Sequence, residues 1–395
     1  MDLYSLYLHV PFCSHRCSYC DFNTFAGQKN QIPAYVEAIC AEIRQVSAAA
    51  PTRLRAHSIF FGGGTPSLLT SAQTETILEV LQRHFNLSDD AEITLEANPG
   101  TVSAVYLNRL RAAGVNRLSF GMQSAHPDDL RLLERQHDFF DVVQAVRWAR
   151  AAGFANISLD LIFGLPAQTL ERWKETLERA LAMSPDHLSL YALTIEHGTP
   201  LQRRWARGLI PLVDDDLAAD MYEFAMERLA QAGFEQYEIS NWARYSSEGD
   251  LLTCRHNMQY WLNLPYLGFG AGAHGSAAGV RTMNVGGIRP FIARCQAARP
   301  AVFPIGPAAR RVIPIDRRLE MQETMMVGLR LTREGVSSAG FRRRVGASLE
   351  DEFGGEIERL LQIGLLEWTP GPDPHLRLTR KGRLLGNQVF MQFVG

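Results

Sequence analysis

Six short apolar segments recur along the first half of the chain, and a longer amphipathic stretch follows most of them. The segments are rich in β-branched or aromatic residues, which is typical of strands, and they are Leu6–Val10, Ser58–Phe61, Ile93–Glu96, Arg117–Phe120, Ile157–Ile162 and His187–Ala192. Apolar residues at helical spacing lie between them, in Ala34–Val46, Ser71–Phe85, Ser103–Ala113, Asp138–Ala152 and Leu170–Met183. This alternation predicts parallel β/α units. Six units are fewer than the eight of a closed barrel, so we expect an α/β fold with a partial (β/α)6 TIM-like barrel.

The pattern changes in the last 80 or so residues, which predict a small domain of their own. Ser348 followed three residues later by Asp351 is typical of a capping box at the start of a helix. The predicted elements are helices over Arg317–Leu331, Leu349–Ile363 and onward from Arg380, and strands over Leu365–Trp368 and Leu376–Thr379. Three helices with a two-stranded wing predict a winged-helix-like domain. Its basic residues are interspersed with acids, which favours a packing role over DNA binding.

These changes of pattern suggest three parts of the chain. Residues 1–245 are predicted to form the partial barrel, and residues 315–395 the C-terminal domain. Between them, residues 246–314 hold a segment rich in glycine and aromatic residues, followed by Pro290–Pro314 with its five prolines. Proline interrupts regular structure, so we expect this last stretch to be a linker or a surface loop.

Composition limits the classes of function. The net charge of −2 argues against nucleic acid as a main partner. No apolar run reaches the roughly 18 residues that a membrane span needs. The first residues show no basic region followed by an apolar stretch, so no secretory signal is predicted and we expect a cytoplasmic protein. Six cysteines in 395 residues are too few for a disulfide framework.

Three of those cysteines, Cys13, Cys17 and Cys20, lie within eight residues, directly after the first predicted strand. Clustered thiolates favour an iron–sulfur cluster, zinc or Cu(I). A structural zinc site normally takes four protein ligands, and the local set here has three. A four-iron cluster held by three thiolates leaves one iron without a protein ligand. The spacing therefore favours an iron–sulfur cluster, with zinc as the alternative.

The spacing C-x3-C-x2-C resembles that of the radical S-adenosylmethionine superfamily. The resemblance implies a 4Fe-4S cluster on the three cysteines, with S-adenosyl-L-methionine bound to the open iron through its amino and carboxylate groups. In that family an electron from the cluster cleaves the cofactor to methionine and a 5′-deoxyadenosyl radical. The resemblance extends to four successive strand ends that carry small or polar residues: Gly62–Pro66 follows the second predicted strand, Glu96 ends the third, Gln123 follows the fourth and Asp160 lies in the fifth. Such residues face the mouth of a barrel.

The whole chain resembles the anaerobic coproporphyrinogen III oxidase-like group of that superfamily. In that group, the positions that contact S-adenosyl-L-methionine match Tyr7, Tyr19, Gly63, Gly64, Thr65, Glu96, Gln123, Arg135, Asp160 and Ala192. The oxidases carry a fourth cysteine two residues after the third, where this chain has Phe22, and they have a longer N-terminal extension. Both departures match the HemW-type haem chaperones.

The segment His256–Trp261 also resembles the HNxxYW signature of that subgroup. A histidine can offer an axial nitrogen to haem iron, and aromatic rings offer flat faces to a macrocycle. The haem candidates are His256, Asn257, Tyr260 and Trp261, with Cys254 and His274 as alternative ligands. The nearby Gly270–Gly275 formally fits G-x-G-x-x-G, but it lacks the strand, helix and acidic residue of a dinucleotide site.

The resemblance implies a haem chaperone that binds haem and transfers it to acceptor haemoproteins, on a scaffold that binds a 4Fe-4S cluster and S-adenosyl-L-methionine. The alternatives are an oxygen-independent coproporphyrinogen III oxidase, against which Phe22 argues, and an unrelated radical enzyme. The expected partners are haem, acceptor haemoproteins and an electron donor. The residues leave open whether the protein is an enzyme, whether its acceptors are membrane-bound and whether it forms a homodimer.

Overall fold

The computed structural model describes residues 3–212, 214–297 and 300–394. The strands, in chain order, are β1 (Leu3–Val10), β2 (Phe12–Cys13), β3 (Phe25–Ala26), β4 (Arg55–Gly63), β5 (Asn86–Ala97), β6 (Arg117–Gln123), β7 (Asn156–Phe163), β8 (His187–Ala192), β9 (Phe234–Glu238), β10 (Asn241–Arg244), β11 (Tyr266–Phe269), β12 (His274–Ala277), β13 (Val280–Asn284), β14 (Ala309–Pro314), β15 (Val336–Ser337), β16 (Leu366–Trp368) and β17 (His375–Leu378).

The α-helices are α1 (Ile32–Ala49), α2 (Ser71–His84), α3 (Ala104–Ala112), α4 (Pro127–Leu132), α5 (Phe139–Ala151), α6 (Leu170–Ala182), α7 (Pro200–Ala206), α8 (Asp215–Gln231), α9 (Arg255–Trp261), α10 (Ile288–Gln296), α11 (Arg317–Gly328), α12 (Ser338–Val345), α13 (Leu349–Gln362), α14 (Arg380–Leu384) and α15 (Gly386–Phe390). Within the described ranges, no helix is both long enough and apolar enough to cross a membrane.

The chain divides into two compact units. The first combines the residues up to Ala225 with Pro265–Ile313, and the second combines Met226–Leu264 with the residues from Pro314 onward. The part boundaries predicted at residues 245 and 314 stay a prediction, since compactness alone does not define where a functional part ends.

A parallel sheet forms the centre of the first unit, with the strand order β1-β4-β5-β6-β7-β8. Helices α1, α2, α3, α5 and α6 connect these strands in turn. All six predicted strands are present, and the predicted α/β fold with a partial barrel is confirmed. Because the strands are parallel, their carboxyl ends meet at one edge of the sheet, and the residues that follow them lie close together.

Capping boxes mark the starts of two of the connecting helices. Thr70 and Gln73 form a capping box at the start of α2, and Asp138 and Asp141 form one at the start of α5. Each box satisfies backbone N–H groups that have no partner inside the helix. These local signals determine where the two helices begin.

The sheet continues beyond β1, where the sequence analysis predicted less structure. Strand β11 pairs parallel with β1, and β12, β13 and β14 follow in that order. Residues 290–314, expected to be a linker or a surface loop, contain most of α10 and all of β14. The flanking prolines do not prevent this. Pro290 lies in the first turn of α10, where its missing N–H has no helical partner, and Pro314 ends β14.

A buried carboxyl group stabilises this extension. Glu42 on α1 is 1% exposed and accepts hydrogen bonds from the Gly270 N–H at 2.8 Å and from Asn284 Nδ2 at 2.7 Å. Burial raises the pKa of Glu42 to about 8. Tyr35 lies two turns before Glu42 on the same face of α1, where its hydroxyl donates to the His9 carbonyl at 2.8 Å and accepts from the Ala271 N–H at 2.8 Å. These bonds join α1, β1 and the 270–284 segment.

The second unit contains the antiparallel hairpin β9–β10, helix α9 and the C-terminal elements. Its core includes Met321 and Met325 of α11, both of which are buried. The capping box of Ser348 and Asp351 at the start of α13 is confirmed. The predicted two-stranded wing is wrong in one respect, because the short strand β15 adds to it and gives the order β15-β17-β16. Two residues are too few for a strand to show a period in the sequence.

Candidate functional site

The three clustered cysteines lie between β1 and α1, at the carboxyl edge of the sheet. Cys13 ends β2, and a turn closed by the Cys20 N–H and the Cys17 carbonyl at 3.3 Å follows it. All three are free thiols, and all three line one cavity of about 510 Å³. The cavity opens at the mouth of the partial barrel, where the sequence predicted that the strand ends would meet.

Each of the three sulfurs has a polar neighbour. Thr65 Oγ1 donates to Cys13 Sγ at 3.6 Å, Arg135 Nη1 donates to Cys17 Sγ at 3.5 Å, and Thr24 Oγ1 lies 3.9 Å from Cys20 Sγ. Hydrogen bonds and positive charge near sulfur stabilise the thiolate, which is the form that binds metal. Burial has the opposite effect and raises the pKa of Cys13 and of Cys20.

The arrangement of the sulfurs suits a cluster. In the part of the chain that the structure describes, no three His, Cys, Asp or Glu side chains converge on the position of a single metal ion. A four-iron cluster does not require such convergence, because each thiolate binds a different iron atom. The donor set of three thiolates, with hydrogen-bond donors beside them, therefore fits a cluster with one iron left open.

Contacts with other loops hold the cysteine segment in place. The Ser18 hydroxyl donates to the Leu132 carbonyl at 2.9 Å, and the Ser18 carbonyl accepts from the Leu201 N–H at 2.8 Å. Further along, Asn23 Nδ2 donates to the carbonyls of Ala271 and Gly286, both at 2.9 Å. The segment that carries the cysteines is thus fixed from both sides.

The glycines after β4 allow that strand end to approach the cysteine segment closely. Gly63 has a φ of 111°, and a Cβ there would lie 2.5 Å from the His9 ring. A Cβ on Gly64 would lie 2.8 Å from the Phe12 carbonyl oxygen. Only glycine fits both positions without displacing its neighbours. The close approach leaves room in the cavity that side chains would otherwise fill.

Two carboxyl groups line the cavity, that of Glu96 near the end of β5 and that of Asp160 within β7. Glu96 Oε2 accepts from the Gly63 N–H at 3.2 Å, and Asp160 accepts from the Ser119 hydroxyl at 2.9 Å. Burial and the neighbouring Asp160 raise the pKa of Glu96 to about 8, and burial also raises the pKa of Asp160. Two close carboxyl groups favour a ligand that brings positive charge or hydroxyl donors.

Arg135 adds a cation to the same lining. Its Nη2 donates to the Gly121 carbonyl at 2.9 Å and its Nη1 to Cys17. Its buried Nε atom has no partner among the described residues. A buried guanidinium with an unused donor is suited to a carboxylate ligand. A lining that holds both carboxyl groups and a guanidinium thus fits an amino acid group, which has one charge of each sign.

Most of the residues predicted to bind S-adenosyl-L-methionine line this cavity together with the cysteines, and they are Tyr19, Gly63, Gly64, Thr65, Glu96, Gln123, Arg135, Asp160 and Ala192. Tyr7 does not line it. Its hydroxyl is hydrogen-bonded to His9 Nδ1 at 3.0 Å, and its ring stacks on Phe60. Gln123 adopts a positive φ of 65°, which is uncommon for a residue other than glycine.

Sequence reasoning missed other lining residues. Ser119 lies on β6 at the same face as Gly121 and Gln123, so the two-residue period of a strand could have revealed it. Thr24 also lines the cavity. It follows Cys20 by four positions in the sequence, and this closeness to a cysteine could have identified it. Tyr191, at the end of β8 and 44% exposed, lies on the rim.

The predicted haem candidates lie elsewhere, on α9 of the second unit. His256 is 1% exposed, and its Nε2 is hydrogen-bonded to the Tyr260 hydroxyl at 2.8 Å. Asn257 is half-buried. The Trp261 ring, also half-buried, carries the Arg330 guanidinium over its face at 4.4 Å. The structure therefore places all four on one short helix, where the His256 ring is hydrogen-bonded to Tyr260.

The two alternative haem ligands are not equivalent. Cys254 is buried at the start of α9. His274 lies on β12 of the first unit and is exposed, and partial desolvation together with the charge of Arg281 lowers its pKa. The structure brings neither of them to the cavity that holds the cysteine cluster.

Comparison with known proteins gives consistent results over the whole chain. Residues 7–180 match the radical SAM superfamily, and residues 315–385 match the HemN C-terminal domain. A Bacillus subtilis protein called heme chaperone HemW is 38% identical over 393 residues, which cover 99% of both chains. A mouse protein called radical S-adenosyl methionine domain-containing protein 1, mitochondrial, is 38% identical over 92% of this chain and 81% of its own. The structure of coproporphyrinogen III oxidase (HemN) from Escherichia coli, 24% identical, superposes with a TM-score of 0.82 over 99% of this chain and 90% of its own, so it shares the fold.

Proposed function

We propose that this chain, which belongs to the HemW family of the radical SAM superfamily, binds haem and transfers it to acceptor haemoproteins in the cytoplasm. The observation that carries the proposal is the full-length similarity, at 36–38% identity, to bacterial proteins called heme chaperone HemW. Similarity of this kind covers both units of the chain, so it concerns the whole protein and not only the part around the cysteines.

The same proposal includes a 4Fe-4S cluster on Cys13, Cys17 and Cys20 with S-adenosyl-L-methionine beside it. When reduced by an electron donor, a cluster of this class can supply one electron to a sulfonium ligand. We assign the carboxylate of the ligand to Arg135, because its Nε is buried without a partner. We assign the amino group and the ribose hydroxyls to the region of Glu96 and Asp160. Gly63 and Gly64 line the same cavity.

Phe22 supports a chaperone over a coproporphyrinogen III oxidase. It occupies the position of the fourth cysteine of the oxidases, it is 63% exposed, and it lines the same cavity as Cys20. A phenyl ring can contact a flat macrocycle but cannot bind iron. The fold shared with the E. coli oxidase does not decide between the two functions, because one fold can carry several activities.

A haem titration of the purified protein tests the proposed function. We expect a saturable shift of the Soret band on adding haem, and transfer of that haem to an apo-haemoprotein when the two are mixed. Conversion of coproporphyrinogen III should not occur with the reconstituted protein in the presence of S-adenosyl-L-methionine and a reductant. A titration without saturation would refute haem binding, and formation of protoporphyrinogen IX would establish the oxidase in its place.

Changing Arg135 to Lys tests the cofactor assignment. Lysine keeps the charge but loses the Nε donor and the planar group that can bond Gly121, Cys17 and a ligand at once. We expect S-adenosyl-L-methionine to bind about tenfold more weakly, as measured by equilibrium dialysis on the anaerobically reconstituted protein. Arg131→Lys is the matched control, since Arg131 lies on α4 and forms an ion pair with the exposed Asp128. Equal affinities in Arg135→Lys and the control would exclude Arg135 from the binding site, provided that both contain the same amount of iron.

A further inference from the structure

The second unit contains a larger cavity than the one that holds the cysteines. Its volume is about 910 Å³, within the range of cavities that bind small molecules. The end of α8 and the hairpin β9–β10 form one wall, and Thr332, the following residue Arg333, β17 and α14 form the other. The candidate site described above does not use this cavity, which we call the arginine cleft.

The cleft takes its name from the four guanidinium groups that line it, those of Arg333, Arg377, Arg380 and Arg383. Among the described residues, two carboxylates line it with them, those of Glu227 and Glu235. Arg377 Nη1 donates to the backbone carbonyl of Arg333 at 3.3 Å, and its Nε pairs with Glu367 at 2.8 Å. Like charges held together in a concave site attract anions.

The existing ion pairs do not block the cleft. Arg380 pairs with Glu227, and the two side chains are 54% and 59% exposed. Arg333 pairs with Glu235 at 3.4 Å, with exposures of 51% and 35%. Exposed pairs of this kind contribute little to stability. A carboxylate from a ligand can therefore replace either glutamate without a large cost to the fold.

The opposite wall of the cleft is mixed in character. Phe234 and Trp242 are buried there, and the Arg244 guanidinium lies over the Phe234 ring at 4.6 Å. Its exposed apolar surface comes from Ala230 and from Tyr245, which is 47% exposed at the edge. Several arginines that face such a surface suit a ligand with carboxylate groups along one side and an apolar body beside them. Of the described residues that line the cleft, none is a histidine or a cysteine. Recognition there would depend on the carboxylates and the ring faces.

We propose that the arginine cleft is a porphyrin-binding site, which holds the propionates of haem on Arg333 and Arg380 and one edge of the macrocycle against Ala230 and Tyr245. The inference rests on the proposed haem-chaperone function and names a site for its cargo. The cleft recognises the porphyrin edge and requires no bond to iron, so it is a site separate from ligation of haem iron by His256, which is tested on its own below.

Metal-free protoporphyrin IX is the probe that tests this site, because it keeps both propionates and has no iron to ligate. We expect saturable quenching of the protein's tryptophan fluorescence by protoporphyrin IX in the full-length protein. The double variant Arg333→Ala/Arg380→Ala should weaken that binding about tenfold or more. Protoporphyrin IX dimethyl ester, in which the propionates are blocked, should bind as weakly to the wild type as the acid binds to this variant.

The control is Arg342→Ala/Arg343→Ala, which removes two exposed arginines from α12 in the same unit. It should bind the acid as the wild type does. If circular dichroism shows that the Arg333→Ala/Arg380→Ala variant is unfolded, the double variant Arg333→Gln/Arg380→Gln takes its place. Unchanged affinity in the folded double variant, or tight binding of the ester, would overturn the inference. Wild-type protein that binds haem but not protoporphyrin IX would also overturn it and leave the proposed function standing, whereas binding of neither would refute both.

Discussion

Cys17→Ser is expected to abolish loading of the iron–sulfur cluster. The cluster requires a thiolate on each of three irons, and serine offers a harder and less acidic donor. Cys17 is also the sulfur to which Arg135 Nη1 donates, so the variant loses the contact that joins the cysteine turn to the arginine. After anaerobic reconstitution we expect about four irons per wild-type chain and close to none in the variant. Iron and sulfide analysis measures the cluster content of each protein, and the absorbance at ~400 nm reports the assembled cluster.

Cys40→Ser provides the matched control. Cys40 is a buried cysteine on α1, and it does not line the cavity that holds the other three. Its replacement should leave the iron content at the wild-type level, although the fold loses some packing. Full iron loading in Cys13→Ser, Cys17→Ser and Cys20→Ser alike would show that the cluster assignment is wrong. Circular dichroism of each variant separates loss of the cluster from loss of the fold.

The sequence was informative where local patterns and chain geometry act together. The six strands and their helices follow from alternating periodicity, and each observed strand contains its predicted segment or ends within one residue of it. The parallel arrangement then dictates that residues following successive strands meet at one edge. This is why Glu96, Gln123 and Asp160, separated by many residues in sequence, line one cavity with the cysteines.

Other features depend on contacts between distant segments, which no local pattern encodes. Strands β11 to β14 are short, and the parallel pairing of β11 with β1 joins residues more than 250 positions apart. The contact of Arg135 with Cys17 spans 118 positions. The arginine cleft combines the 226–245 region with residues after 332. Sequence reasoning could identify these arginines only as charges on a small domain, because their grouping is a product of the fold.

On helix α9, the sequence likewise does not reveal the side-chain contacts of the predicted haem ligand. The sequence identifies His256 and Tyr260 as neighbours on one helix face, four residues apart. Their hydrogen bond at 2.8 Å and the edge-to-face contact of the rings are visible only in the structure. With 1% of its surface exposed, His256 cannot reach haem iron through Nε2 unless the bond to Tyr260 breaks and the ring turns outward. Ligation of haem iron by His256 is therefore expected to compete with the hydrogen bond between His256 and Tyr260.

Two variants distinguish ligation by His256 from a purely structural role. His256→Ala should weaken haem binding by about tenfold or more and shift the Soret maximum, because it removes a nitrogen ligand. Tyr260→Phe keeps the aromatic face but removes the competing hydrogen bond, which is worth about 1 kcal/mol, so it should strengthen haem binding about fivefold. His197→Ala removes an exposed histidine from the first unit and should change neither value. If the His256–Tyr260 pair only supports the fold, Tyr260→Phe will lower the thermal stability and weaken or leave unchanged the binding of haem. A gain in affinity requires that the Tyr260 hydroxyl and the haem iron compete for the same nitrogen.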